Sequence, residues 1–187
     1  MHRGQSNGIG MNFFLVIDLE ATCCDDQLFA RTEMEIIEIG AVMVDWETQQ
    51  PVDEFQAFVR PMVHANLTSF CKTLTGIAQQ DVDDAKLFPE VLNALVAWAV
   101  EYPDYVFCSW GDYDRIQFQR DCQRHAMQYP FANQHINLKK QFASVVSGHG
   151  NMGVLAALES VGLSFVGDHH RGIDDARNIS RLIPFVF

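Results

Sequence analysis

The run Phe13-Phe14-Leu15-Val16-Ile17 leads into Asp18-Leu19-Glu20, so two acids stand at alternate positions closing an apolar strand. Side chains at i and i+2 of a strand point to the same side. An acid there costs solvation free energy unless something pairs with it, and two acids on one face repel each other. A divalent cation resolves both problems, because Mg²⁺ and Mn²⁺ prefer carboxylate oxygens. Joined by two more acids and a base, the pair is half of a two-metal site for phosphoryl transfer.

Two downstream segments offer those partners. Asp114 closes the string SWGDYD (109–114) just after an apolar strand and just before a helix. Read singly, Asp112 or Asp114 is a helix cap. The string His170-Arg171-Gly172-Ile173-Asp174-Asp175 precedes the last helical pattern, where one acid again has a capping role. Gly172 provides a hinge that can turn His170 back towards the helix start. Each signal is weak alone.

The elements that must position these residues follow from periodicity. Asn12 to Asp18, Glu35 to Asp45 and Asp53 to Arg60 read as three strands joined by short connections, an antiparallel meander. Leu67 to Leu74 reads as a short helix broken at Thr75-Gly76-Ile77. Pro89 opens a strong helix whose positions Val91, Leu92, Leu95, Val96, Trp98 and Ala99 keep helical spacing. Tyr105 to Trp110 is another strand and Arg115 to Tyr129 another helix. A short edge strand at Ile136 to Leu138 and helices at Leu138 to Val146, Val154 to Val161 and Asp174 to Val186 complete the pattern. Strands first, then strands alternating with helices, predict an α/β fold: a five-stranded mixed sheet flanked by helices. Asp18 and Asp114 fall at the C-terminal ends of strands, where open α/β sheets place their sites.

Composition narrows the class. A chain of 187 residues, 48% apolar and 20% charged, fits one domain with a large core. Residues 1–11 read as a flexible N-terminal extension and 12–187 as the domain. Met1 to Gly10 lack the apolar stretch of a signal peptide, and no run reaches the roughly 18 apolar residues of a membrane helix, so no membrane partner is expected. The five cysteines, Cys23, Cys24, Cys71, Cys108 and Cys122, are odd in number and form no C-x-x-C pair. They support neither a disulfide framework nor a zinc ribbon, and point to a reducing cytoplasm. The net charge of −11 is unusual for a nucleic-acid binder, but four clustered acids would account for part of it and bound cations would offset it.

Taken together, D-x-E ending the first strand, an Asp opening a mid-chain helix and H-x-x-x-x-D opening the last helix resemble the DEDDh branch of the 3′-to-5′ exonucleases, on the ribonuclease H-like fold. The sister branch carries Tyr four residues before the last Asp, where this chain has Arg171. The strings DLEATC (18–23), EIIEIG (35–40), FVRP (58–61), LTSFCKTLTGI (67–77) and HRGIDDARNISR (170–181) are similar to the Eri-1-like exoribonucleases within that branch. Leu19 stands where many relatives have Phe. The similarity runs from about Asn12 to the last residues.

The resemblance implies that Asp18, Glu20, Asp114 and Asp175 hold two divalent cations, Mg²⁺ or Mn²⁺, with Asp18 bridging them. It implies that His170 is the general base and that nucleoside 5′-monophosphates leave from single-stranded 3′ ends, RNA being favoured over DNA. Phe70 and Tyr113 are implied to sandwich the terminal base. Leu19, Ala21 and Thr22 are implied to line its sugar pocket, where a donor to the 2′-OH would favour RNA. Packing is the competing reading for both aromatics. Arg171, Arg177, Arg181, Lys72, Lys139 and Lys140 are candidate phosphate contacts that also fit as solvated surface charge, and Glu35 and Glu38 read as structural. Two alternatives stay open: a DNA-directed exonuclease, and a catalytically silent module that binds a protein partner. The presence of all five site residues speaks against the second.

Overall fold

The computed structural model describes residues 10–25, 28–131, 134–146 and 152–187. Most of the expected leader lies outside the described residues, whereas Met11 already packs, partly buried, against the core. The elements, in order, begin with β1 (Phe13–Ala21), a 3₁₀ turn (Arg31–Glu33), β2 (Ile36–Asp45) and β3 (Pro51–Arg60). Next come α1 (Ser69–Thr75), α2 (Gln79–Asp83), β4 (Lys86–Leu87) and α3 (Phe88–Ala99). They end with β5 (Tyr105–Ser109), α4 (Tyr113–Arg124), β6 (His135–Asn137), α5 (Leu138–Val145), α6 (Val154–Ser160), α7 (Gly172–Ser180) and a 3₁₀ turn (Ile183–Phe185).

The sheet order is β4-β3-β2-β1-β5-β6, with β1, β2 and β3 antiparallel and β5, β6 and β4 each parallel to the strand beside it. The meander and the mixed sheet are as expected, but the sheet has six strands rather than five. The added strand, β4, is two residues pairing with Val59 and Arg60, too short to carry a period of two. The five-residue α2 is polar and equally silent in hydrophobic pattern. The last helix starts two residues before Asp174 and stops at Ser180 rather than Val186. Pro184 lacks the N–H needed to continue it, and the chain tightens into the second 3₁₀ turn.

Strand β1 sorts its residues by parity. Leu15, Ile17 and Leu19 join the core beneath α3 and α4, with Phe88, Leu92, Leu95 and Phe118. Phe14 and Val16 join the opposite core with Phe142, Leu158, Ala176 and Ile179 of α5, α6 and α7. Leu15 and Ile17 are fully buried, each contributing ~1.5–3 kcal/mol, so a one-residue slip of β1 would exchange the two faces at large cost. Asp18 and Glu20 continue the Phe14–Val16 face and therefore point towards α7. The α7 start can reach the sheet because Gly40 and Gly172 meet there. A Cβ on Gly40 would overlap the backbone of Gly172 and Ile173.

Candidate active site

Asp18 pairs across the sheet with Gly40, and Glu20 with Glu38. The register shifts between Glu20 and Ala21, an irregularity that re-aims side chains at a strand end. Glu20 is 9% exposed, Asp114 4% and Asp175 3%. Asp18, Glu20 and Asp175 each offer a carboxylate oxygen, and the three oxygens lie within 4.8 Å of one another. Asp114, in the first turn of α4, stands beside this group and turns Oδ1 to the backbone N–H of Leu19 at 3.1 Å. It does not cap its helix; Asp112 holds the cap position without a side-chain cap bond.

Burial raises the pKa of every carboxylate in this cluster, and neighbouring carboxylates add to it for Asp18, Glu20 and Asp114. Burial, then repulsion from Asp114, Asp175, Glu20 and Glu38, pushes Asp18 well above the usual carboxylate range. Burial, then Asp175 and Glu38, pushes Glu20 up to about 9. Burial raises Asp114 to about 6 against the opposing Leu19 N–H. It also raises Asp175, against His169 and the backbone N–H of His170. A set of buried hard oxygen donors that cannot all ionise unaided is suited to Mg²⁺ or Mn²⁺ rather than to a soft metal.

His170 sits at φ +67°, in the left-handed region. Its backbone N–H donates to Asp175 Oδ2 at 2.7 Å. Burial and the neighbouring His169 lower its pKa below the ordinary histidine value. The cleft of about 260 Å³ above the acids is lined by Asp18, Leu19, Glu20, Ala21, Tyr113, Asp114, His169, His170 and Asp175, with Cys23, Met34, Leu74, Trp110 and Val154 as its apolar rim. A second cleft of about 420 Å³ shares Cys23, Met34, Leu74 and Tyr113 with it and adds Phe29, Arg31 and Phe70. Phe70 is 37% exposed and Tyr113 40%. Both aromatics are half-exposed where they line that cleft.

Of the predicted site residues, Asp18, Glu20, Asp114, Asp175, His170, Leu19, Ala21 and Tyr113 line one cleft, and Phe70 the adjoining one. Thr22 lines neither. It is buried against Glu35, accepting that residue's N–H at 3.0 Å and donating its own N–H to the Glu35 carbonyl at 2.8 Å. The candidate phosphate contacts are mostly engaged within the protein. Arg171 pairs with Glu38 at 3.2 Å and lies over the Phe58 ring. Arg177 pairs with Glu54 and Asp174, and Lys140 with Asp112 at 2.8 Å. Arg181 donates to the Ser164 carbonyl. The structural reading of Glu35 and Glu38 holds: Glu35 accepts the N–H groups of Met62, Val63 and His64. Glu38 accepts from Gln56, Arg171 and the Gly172 N–H, so it anchors the α7 start that carries Asp175. Sequence reasoning missed His169, whose only signal was the doubled histidine at 169–170.

A family model described as Exonuclease (RNase_T) matches residues 15–183. The chain is 34% identical over 179 residues to 3′-5′ exoribonuclease 1 of Rattus norvegicus, covering 91% of this chain and 52% of that protein. It is 30% identical over 200 residues to the 3′-5′ exonuclease eri1 of Schizosaccharomyces pombe, covering 92% and 67%. The chain thus spans about half the length of the mammalian relative. Among solved structures, the nuclease domain of 3′hExo, a DEDDh family member bound to rAMP, superposes with a TM-score of 0.86 at 31% identity, covering 96% of this chain and 92% of that one. The chain belongs to the RNase_T exonuclease family, in its DEDDh, Eri1-like branch.

Proposed function

We propose that residues 12–187 form a divalent-cation-dependent 3′-to-5′ exoribonuclease domain that releases nucleoside 5′-monophosphates from single-stranded ends. The observation that carries this reading is the convergence of Asp18, Glu20 and Asp175 oxygens within 4.8 Å in a cleft that also holds Asp114 and His170. Relatives named exoribonucleases, and a similar structure that holds rAMP, support it.

Asp18, Glu20, Asp175 and Asp114 would hold two Mg²⁺ or Mn²⁺ ions. When bound, such ions neutralise the acids, acidify a water and stabilise charge on the departing 3′-oxygen. The imidazole of His170 takes the proton from the attacking water at a ring nitrogen. Its lowered pKa keeps it in the basic form at neutral pH. Leu19 and Ala21 line the place of the terminal sugar, where backbone groups contact the 2′-OH that marks RNA. Tyr113 and Phe70 offer faces on which the terminal base stacks, so that recognition tolerates any base. All five cysteines are free, which supports a reducing cytoplasmic setting. No helix among the described residues is long and apolar enough to cross a membrane.

Matched RNA and DNA oligonucleotides, single- and double-stranded, test the reading with wild type, Asp18→Ala and His170→Ala in Mg²⁺ or Mn²⁺. Wild type should shorten single-stranded RNA from the 3′ end and both variants should not. Faster degradation of DNA would replace the RNA reading with the DNA-directed one, and equal activity of the variants would remove the site.

A further inference from the structure

The proposed reading gives His169 no part, yet its ring makes three contacts that tie the site together. Nδ1 lies 2.9 Å from Asp175 Oδ1. The ring stacks on that of His170 with centroids 4.0 Å apart and planes 24° from parallel. Phe165 meets it edge-on at 5.2 Å. Asp175 Oδ2 is meanwhile held by the His170 backbone N–H at 2.7 Å, so the carboxylate is gripped through both oxygens by two consecutive residues. Each carboxylate oxygen has two lone pairs, which leaves one on each free to face Asp18 and Glu20.

We infer that His169 is a positioning residue: its Nδ1–H fixes the Asp175 carboxylate for cation binding, while its ring face fixes the plane of the His170 imidazole. The inference rests on the nuclease reading above for what the site does, but the two contacts stand independently of it. Facing an ionised carboxylate, which only accepts, Nδ1 is the donor. A ligand carboxylate held by an outer hydrogen bond loses less freedom when it binds a cation, and removing such a partner characteristically weakens metal binding about 10–100-fold. The Nδ1 contact leaves Nε2 of His169 open, and the His170 ring makes no hydrogen bond among the described residues, so the kinetics of the variants decide which ring is the base.

Three variants separate the roles. His169→Asn keeps an N–H donor near the Nδ1 position, His169→Phe keeps the ring face without a donor, and His170→Asn leaves the Asp175 backbone clamp in place. Mn²⁺ affinity is measured without substrate, from the magnetic-resonance signal of free Mn²⁺, and kcat and KM are measured on a short RNA. Thermal unfolding in chelator confirms that each variant folds. His169→Phe should bind Mn²⁺ at least about tenfold more weakly than wild type, and His169→Asn within about threefold of it. His170→Asn should bind Mn²⁺ as wild type does while losing kcat. Wild-type Mn²⁺ affinity in His169→Phe overturns the inference and leaves the nuclease reading intact. At saturating Mn²⁺, a kcat in His169→Phe, which keeps the ring face, as low as that of His170→Asn also overturns it, by making His169 the base. A wild-type protein that binds no Mn²⁺ removes the nuclease reading as well as this inference.

Discussion

Replacing Glu20 by glutamine should stabilise the cation-free protein, by an amount that grows with pH. The Glu20 carboxyl is pushed to about 9 in the folded chain by burial and by Asp175 and Glu38, against ~4.3 unfolded. A group whose folded pKa is raised contributes its stability below the unfolded value and loses it as pH rises towards the folded value. Between pH 6 and 8 the unfolded carboxyl is ionised while the folded one keeps its proton. Each pH unit in that window therefore removes ~1.36 kcal/mol, about 2.7 kcal/mol in all. For a domain of this size that corresponds to a fall of about 5–10 °C in melting temperature. Glutamine keeps the shape of the side chain and has no charge to bury. The difference in melting temperature between Glu20→Gln and wild type, in chelator, should widen by that amount from pH 6 to pH 8. Saturating Mn²⁺ should reverse the order at pH 8, since the wild-type site gains more from the cation. Groups that Glu20 does not touch cancel in the difference, while Asp18, which Glu20 repels, ionises more readily in the variant and widens it in the same direction. A difference that stays flat with pH, or a wild type more stable than the variant at pH 8 in chelator, would refute the argument that burial and repulsion dominate this cluster.

Other outcomes follow from the same geometry. His170 has a lowered pKa through burial and His169, so activity should rise with pH in the range below ~6.5 and level off near neutrality. His170→Ala should lower kcat about 10²–10⁴-fold and abolish that rising limb; a variant with an unchanged pH profile counts against the base assignment. Arg171→Ala leaves the fully buried Glu38 without its cation and should destabilise the fold by about 3 kcal/mol in denaturant titrations. The salt dependence of RNA binding should stay unchanged, and a shallower slope would restore Arg171 as a phosphate contact. Tyr113→Ala and Phe70→Ala each remove a stacking face, worth ~1–3 kcal/mol. KM should therefore rise about 5–150-fold with kcat affected less, and unchanged KM in both would show that the base does not stack there.

How much of this was legible beforehand differs residue by residue. The face shared by Asp18 and Glu20 was readable because β1 alternates strictly: every odd position from Leu15 to Leu19 is needed by one core, which leaves the acids to the other. Gly76 was readable as a break because it closes α1 at φ +68°. The two-residue β4 was not, since it exists only through pairing with Val59 and Arg60. The partners of Thr22 and Arg171 were not legible: Thr22 is bonded to Glu35 and Arg171 to Glu38, residues distant in sequence or on another strand. His169 escaped notice because no periodicity distinguishes the two members of a histidine doublet. Only the left-handed turn at His170 aims one ring at Asp175 and stacks the other on it.

By the proposed function, the acids around Asp18 bind divalent cations to remove nucleotides from 3′ ends. A 5′-labelled single-stranded RNA incubated with the purified protein and Mn²⁺ addresses it most directly. A ladder should shorten one nucleotide at a time from the 3′ end, with nucleoside 5′-monophosphates released and the ladder absent in excess EDTA or with Asp18→Ala. Shortening that persists in EDTA, internal fragments in place of a ladder, or an intact RNA would contradict it.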